Sequence, residues 1–415
     1  VRPYKLTENI FSLYIVHIVR LLLPLLLFPV LVRRVSDDTF SLYILSIAVS
    51  AWLSVFVEYG FNISATRDIT ETEKTEEITK IVSGVHSAKL LLAFLSIFFV
   101  ALLYQFVPQF NHNILWLLCS WLSSLAIALV PSFYFQGTEN TKPLAMSEVI
   151  SGIVLLVGVF SLVVDESDAE WVPFLFLIAR LVTLLVVHAI LFKKLSIRIY
   201  VFDLKAAVTV LVKGWHCFVL QALASMYTSF NVVMLGFWGD VQAVAIYGAG
   251  ERLIRAALGF VGQATNAVFP RISRLKHEGC HHFEKYRIFT LIGFAFLGGV
   301  GVVFAHILSP HIIYWLFNGE LNQAIEVVTL LSWVILVIAL SNVLAFQFLL
   351  IEKMEKFLNA FVGFGGLLNL VLAYSLVPDW GYMGMAWAWL LVELFILLGL
   401  LVTVMWIRLG DRNIA

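Results

Sequence analysis

Residues 246–270, IYGAGERLIRAALGFVGQATNAVFP, set Glu251, Arg252 and Arg255 inside a run long enough to span a bilayer. On a helical wheel Gly248, Glu251, Arg252, Arg255, Gly259, Gly262, Gln263 and Asn266 share one side. Ile246, Ala249, Leu253, Ala257, Phe260 and Ala264 share the other. A charge at the centre of a membrane helix costs about 3 kcal/mol or more unless it meets water or a partner. Two chemistries satisfy that demand. Glu251 and Arg255, four residues apart, can neutralise each other along the helix. Alternatively, one carboxylate against two guanidinium groups leaves a positive surplus that meets an anion, and the planar fork of arginine suits phosphate oxygens.

Further ionisable groups lie inside apolar runs. Arg20, with His17 on the same face, and Arg180 fall near the middles of their runs, and Lys89 lies in an inner half from which it can snorkel to the cytoplasm. Arg252, Arg255, Arg180, Arg20 and Lys89 are therefore the candidate anion contacts. The competing reading pairs these bases with Glu58, Glu148 or Glu393 across helices. Ser46, Ser50, Ser54, Glu58 and Asn62 descend one face at four-residue steps. A buried acid there can titrate near neutral pH, so Glu58 is the first candidate for coupling to a counter-ion, with Glu393 and Glu251 after it. An ion pair that locks the bundle is the equal alternative for Glu58. Gln136 and Glu139, at an inner helix end, read with Asn62 as caps and gate contacts. His277, Cys280, His281 and His282 match no standard zinc spacing, so no metal site is expected. Gly363, Gly365 and Gly366 read as close helix packing. A P-loop and a GxSxG motif are both absent from the sequence.

These residues must be positioned by membrane helices. Of 415 residues 61% are hydrophobic and 13% charged, at a mean hydropathy of +0.95, which excludes a soluble domain of this size. The expected fold is all-α, with twelve spans near 10–32, 40–66, 81–106, 114–135, 143–164, 172–192, 209–237, 242–269, 288–309, 325–351, 357–377 and 382–407. Of the 27 bases, 20 fall in segments on the side of the termini, two (Arg33 and Arg34) on the other side and five within spans. That asymmetry places both termini in the cytoplasm. Trp116, Trp171, Trp238, Trp315 and Trp380 fall near outer ends, as an interfacial belt would. Cys119, Cys217 and Cys280 suggest no disulfide framework, and no cleavable signal is expected.

Residues 238–250 echo 33–45, and Phe135-Gln136 with Lys142 returns as Phe346-Gln347 with Lys353. Two six-helix bundles related by a pseudo-two-fold axis along the membrane normal are expected, 1–195 and 209–415, joined by a cytoplasmic linker, 196–208. The linker reads as an amphipathic surface helix or as a simple solvated connection.

The blocks PLLLFPVLVRRV (24–35), VEYGFNISATRDI (57–69), VPSFYFQGTEN (130–140), KGWHCF (213–218), SMYTSFNVVMLGF (225–237) and YGAGERLIRAALGFVGQATNAVFPRIS (247–273) resemble the Wzx-type polysaccharide flippases. Those form part of the multidrug/oligosaccharidyl-lipid/polysaccharide exporter superfamily. The match is collinear over nearly the whole chain, except that SDDTFS (36–41) stands where the family usually has a Gly-containing turn. The resemblance implies ion-coupled alternating access that moves an undecaprenyl-pyrophosphate-linked oligosaccharide from the inner to the outer leaflet of a bacterial inner membrane, for O-antigen, capsule or exopolysaccharide. It implies no cofactor beyond a counter-ion, H+ or Na+. The expected partners are membrane lipids, a polysaccharide polymerase and a chain-length regulator, with no nucleic acid. Two other functions compete: a cation-coupled multidrug antiporter of the same superfamily, and a membrane polymerase or ligase acting on lipid-linked glycans. The intramembrane surplus of bases disfavours a cationic drug, and the short outer loops disfavour an enzyme.

Overall fold

The computed structural model describes residues 26–72, 74–193, 202–238, 241–277, 283–317, 321–352 and 354–412, with isolated positions 19, 23, 195 and 319. Most of the first expected span lies outside the described residues, including His17 and Arg20. So do residues 196–201 of the expected linker, Cys280, His281 and His282, and the side chain of His277. All regular structure among the described residues is helical. Nine helical stretches among them are long and apolar enough to cross a membrane, the last of them, Lys356–Trp406, covering two expected spans. This is a multi-pass membrane protein. The chain forms two compact units, residues 1–225 and 226–415.

The first unit begins, after helical turns at 26–32, with α1 (Asp37–Glu58). Ser36 caps it by accepting from the Thr39 N–H at 3.3 Å, and Asp37 and Asp38 favour the first turn electrostatically. The SDDTFS turn is thus a helix cap. Arg34 Nη1 donates to the carbonyls of Val163 (2.6 Å), Phe160 (3.1 Å) and Val159 (3.4 Å) at the end of the later helix Lys142–Leu162. Glu166 accepts from the Ser36 N–H and from the hydroxyls of Ser36 and Thr39, both at 2.8 Å.

The expected continuous span 40–66 is two helices. Tyr59 and Gly60 both take left-handed backbone, with φ of 51° and 72°, and α2 (Phe61–Thr70) starts afresh. A Cβ on Gly60 would lie 2.9 Å from the carbonyl carbon of Cys217, so only glycine fits both the φ and the neighbouring backbone. Gly60→Ala is therefore expected to lower the melting temperature of the purified protein by several degrees. Gly262→Ala, where a Cβ meets nothing within 4 Å, should leave it unchanged or higher. Equal melting temperatures for the two variants would contradict this account.

There follow α3 (Thr75–Phe106), a short turn at Pro108–Asn111, α4 (Ile114–Leu129), α5 (Ser132–Gly137), α6 (Lys142–Leu162), α7 (Trp171–Phe192) and α8 (Leu204–Thr228). The expected span 114–135 stops at Leu129, because Pro131 has no N–H to continue the ladder. Residues 204–208, counted with the linker in the sequence reading, are the first turns of α8. As far as Ser225, α8 belongs to the first unit. The Asp203 N–H donates to Ser87 Oγ at 3.0 Å, and Phe218 stacks on Tyr59 at 4.3 Å.

The second unit holds α9 (Asn231–Trp238), α10 (Val241–His277), α11 (Phe283–Phe317), α12 (Ala324–Val343) and α13 (Glu355–Arg412), the last being two helices that meet at Gly381, φ 52°. The expected span 209–237 is broken between Thr228 and Asn231. With 37 residues, α10 extends for about 55 Å, well beyond a hydrocarbon core of about 30 Å. Its buried edge, Ile254, Val261 and Thr265, is continuous with Gly250, where a Cβ would meet Val327 of α12 at 2.8 Å. Phe260 is 69% exposed, on the side the wheel assigns to apolar residues. Between these edges the Arg252, Arg255, Gly262 and Gln263 stripe is half-buried.

After α12 the chain passes into a π-helix, Leu344–Leu350. The two echoing Phe-Gln pairs thus both sit on irregular continuations of a long helix, one just past a proline break and one in a π-helix. Arg287, expected in an inner segment, is buried in α11 over the Phe348 ring at 3.8 Å, with its Nη1 on Glu284 at 2.6 Å. Of the five belt tryptophans, Trp171, Trp238, Trp315 and Trp380 are exposed, whereas Trp116 is buried.

Candidate functional site

Each unit gathers polar groups at a helix break. In the second unit the gap between α8 and α9 leaves backbone carbonyls without helical partners. Arg255 of α10 answers one: its Nη2 donates to the Thr228 carbonyl. The same guanidinium bonds Glu251 Oε1 through Nη2 at 2.5 Å and Nε at 3.0 Å, and its carbon lies 5.1 Å from the Trp389 ring centre. Glu251 is buried, while about a third of the Arg255 side chain is exposed. Trp389 Nε1 donates to Glu393 at 3.2 Å, and Glu393 lies within electrostatic reach of Arg255. Beside them Asn231 Nδ2 donates to the Tyr227 carbonyl and the Tyr247 hydroxyl, and Asn369 Nδ2 donates to Asn231 Oδ1 at 2.7 Å. The structure therefore brings together Glu251, Arg255 and Glu393 from helices far apart in sequence. Arg252, one residue along α10, is half-buried.

In the first unit a cavity of about 220 Å³ opens beside the α4–α5 break. Glu58, Asn62, Gln136, Glu148, Arg180 and Thr183 line it, with Ser132 and Ser147. The Asn62 amide donates to Glu58, so the two meet across the Tyr59–Gly60 break. Arg180 Nη1 faces Glu148 at 3.8 Å, and its guanidinium lies 5.1 Å from the Phe176 ring centre. Above Glu58 the polar face of α1 packs instead of lining a cavity. Ser46, Ser50 and Ser54 are buried, and Ser50 Oγ donates to the carbonyls of Ser46 and of Ser120 on α4.

Lys89 does not snorkel. It is 1% exposed, and its Nζ donates to the carbonyls of Ala128 (2.5 Å) and Val130 (3.4 Å) and lies 5.2 Å from the Phe133 ring centre. A lysine at a helix C-terminus meets both the orphaned carbonyls and the negative end of the helix dipole. Glu58 is within its electrostatic reach. Glu139, exposed and with φ 51°, turns the chain between α5 and α6.

Thr183, Ser132 and Ser147 in one unit, and Tyr227, Asn231, Tyr247, Asn369 and Trp389 in the other, join these sites without being marked out by sequence pattern. Asn231 and Asn369 carried the available signal, since each is an amide inside an apolar run. No group of three or more His, Cys, Asp or Glu suited to a metal ion occurs among the described residues.

The family described as polysaccharide biosynthesis protein matches residues 6–276. A Shigella dysenteriae protein named as a proposed O-antigen transporter is 28% identical over 397 residues, which is 95% of this chain and 98% of its own. An Escherichia coli (strain K12) protein of the same name is 28% identical over 395 residues, 92% of each chain. Among solved structures, the lipid II flippase MurJ in an inward closed conformation is similar at a TM-score of 0.77 and 18% identity, over 96% of this chain and 87% of that one. An inward-facing multidrug resistance MATE family transporter of the MOP superfamily is similar at 0.71 and 14% identity, over 96% and 98%. Likeness at such identities establishes a shared fold and leaves the substrate to be argued from the site.

Proposed function

This chain belongs to the polysaccharide biosynthesis protein family, and on that footing we propose that it is a flippase for lipid-linked oligosaccharides. The substrate class is an undecaprenyl-pyrophosphate-linked repeat unit, moved from the inner to the outer leaflet of a bacterial inner membrane for surface polysaccharide. The observation that carries the reading is the Glu251–Arg252–Arg255 group on the half-buried stripe of α10. The Arg255 guanidinium there stays about one-third exposed although Glu251 bonds it, and its planar fork suits the oxygens of a pyrophosphate whose prenyl tail stays in lipid. The O-antigen transport in the names of the two curated relatives favours a flippase over a drug antiporter of the same fold. Transport, not catalysis, is also what the names of the relatives describe.

Glu393 is the acid through which we couple transport to a proton or sodium gradient, because it acts on the arginine that meets the substrate. A counter-ion on Glu393 removes negative charge beside the Arg255–Glu251 pair and so strengthens the hold of Arg255 on the phosphate; its departure weakens that hold. In proteoliposomes Glu393→Gln should therefore keep exchange of lipid-linked substrate yet lose acceleration by an imposed gradient. A variant as gradient-sensitive as the wild type would move the coupling to another acid, Glu58 first.

The deciding experiment is leaflet accessibility of the lipid-linked repeat unit in cells with and without this protein. Entrapment on the cytoplasmic side in its absence is expected. Normal crossing followed by failure to polymerise would overturn the flippase in favour of an enzyme.

A further inference from the structure

In the proposed cycle Glu393 acts on Arg255, and one buried side chain stands between them. Trp389, 1% exposed, lies in the second of the two helices of α13, one turn before Glu393. Its Nε1–H donates to Glu393 Oε1 at 3.2 Å, and its ring centre lies 5.1 Å from the Arg255 guanidinium carbon. The bonds of Arg255 go instead to Glu251 and to the Thr228 carbonyl. Glu393 therefore reaches the guanidinium through space or through the indole. Tyr227 is also within electrostatic reach of Glu393, and Glu251 and Tyr247 are within that of Arg255. A buried indole needs an acceptor, and a backbone carbonyl would supply one of constant strength. Here the acceptor is ionisable. A carboxylate draws the N–H in with a charge-assisted bond, about twice as strong as the bond to a neutral oxygen. A proton or sodium ion on Glu393 weakens that bond. The indole has a single donor and no acceptor, so the direction of this bond sets the rotation of the ring. The ring face in turn attracts the Arg255 guanidinium through its quadrupole.

We infer that Trp389 is a positioning residue, which passes the charge state of Glu393 to Arg255. With Glu393 charged, the indole is anchored and its face holds the guanidinium. With a counter-ion on Glu393 the anchor slackens, and Arg255 turns more of its fork to the phosphate. The inference rests on the flippase reading and on Glu393 as the coupling acid, and it names the contact through which that coupling runs. Every group in it lies in the second unit.

The test measures exchange of lipid-linked substrate in proteoliposomes with and without an imposed proton or sodium gradient, for the full-length protein and its variants. What is read is the ratio of driven to basal exchange, in which a general loss of activity cancels. A gradient should accelerate the wild type about fivefold or more and leave Glu393→Gln unaccelerated. Trp389→Phe keeps an aromatic face but has no donor. Glu393→Asp keeps the charge but is one methylene too short for the indole. Both should still exchange substrate, with a ratio that falls to that of Glu393→Gln. Glu393→Asp leaves the Trp389 ring in place, so it decides the matter even if the smaller ring unsettles the core. If the wild type ignores both gradients, or if Glu393→Gln stays driven, the coupling reading fails and the positioning role with it. If Glu393→Gln is uncoupled while Trp389→Phe or Glu393→Asp keeps the wild-type ratio, the coupling acts through space and the role of Trp389 is overturned. Complete loss of basal exchange in a Trp389→Phe protein that melts like the wild type overturns it too, by placing the ring in the substrate site itself.

Discussion

Arg255→Ala is expected to abolish transport while the protein remains in the membrane, and Arg255→Lys to retain part of it. The guanidinium makes three bonds at once, two to Glu251 and one to the Thr228 carbonyl at the helix break. Truncating one partner of a hydrogen-bonded charge pair in a desolvated site costs about 2–5 kcal/mol, or about 30-fold to several thousandfold in rate or affinity. Part of that loss is structural, because Glu251 is left buried without its counter-charge. Breaking a fully buried pair costs about 3–5 kcal/mol; with a third of Arg255 exposed, about 2 kcal/mol is expected here. Lysine keeps the charge and three donors but not the planar fork, so it can still hold Glu251 and yet lacks the paired geometry that suits phosphate oxygens. The double variant Glu251→Gln/Arg255→Gln separates the two contributions. It removes both charges, so the melting temperature should recover while flipping in proteoliposomes stays absent. Full activity in the Ala variant would sink the headgroup assignment.

Lys89→Met should produce the largest loss of stability in the first unit. Methionine matches the length and apolar body of lysine but has no donor, so the Ala128 carbonyl loses the Lys89 bond in a site only 1% exposed, while the Val130 carbonyl keeps the Ser132 N–H at 2.9 Å. One orphaned carbonyl costs about 1–3 kcal/mol, which sets the expected loss. The break it supports directs the chain toward Ser132 and Gln136 on the cavity wall, so transport should fall together with the melting temperature. Lys89→Arg preserves charge and donors but adds bulk, and should lie between the two. A Met variant that melts with the wild type would show that the break holds itself together.

The stripe on α10 was legible because its amphipathy follows the helix period, and a wheel needs nothing else. The break at Tyr59–Gly60 was written in the EYGF block, yet a single glycine in an apolar run reads equally as a helix that continues. What separates the cases is the backbone of Cys217 on α8, more than 150 residues away, which no local pattern reveals. Lys89 was visible as an intramembrane base, but its role was not, since its partners are carbonyls that every residue carries. The serine face of its helix put Glu58 first among the acids and Glu393 after it. The fold sets Glu393 beside the Arg255 group and Glu58 beside Asn62 and Lys89. Thr183 carried no signal at all, because a threonine in an apolar helix commonly bonds its own preceding turn.

The Arg34 and Glu166 contacts join segments about 130 residues apart in sequence. During synthesis at about 5–20 residues per second, Arg34 leaves the ribosome roughly 7 to 26 seconds before the carbonyls it will bind. For that interval the turn before α1 stays unclasped, with only the Ser36 cap to hold it. The clasp closes only once α6 has arrived and the turn after it carries Glu166 across, so it forms only after α1 to α6 have all been made.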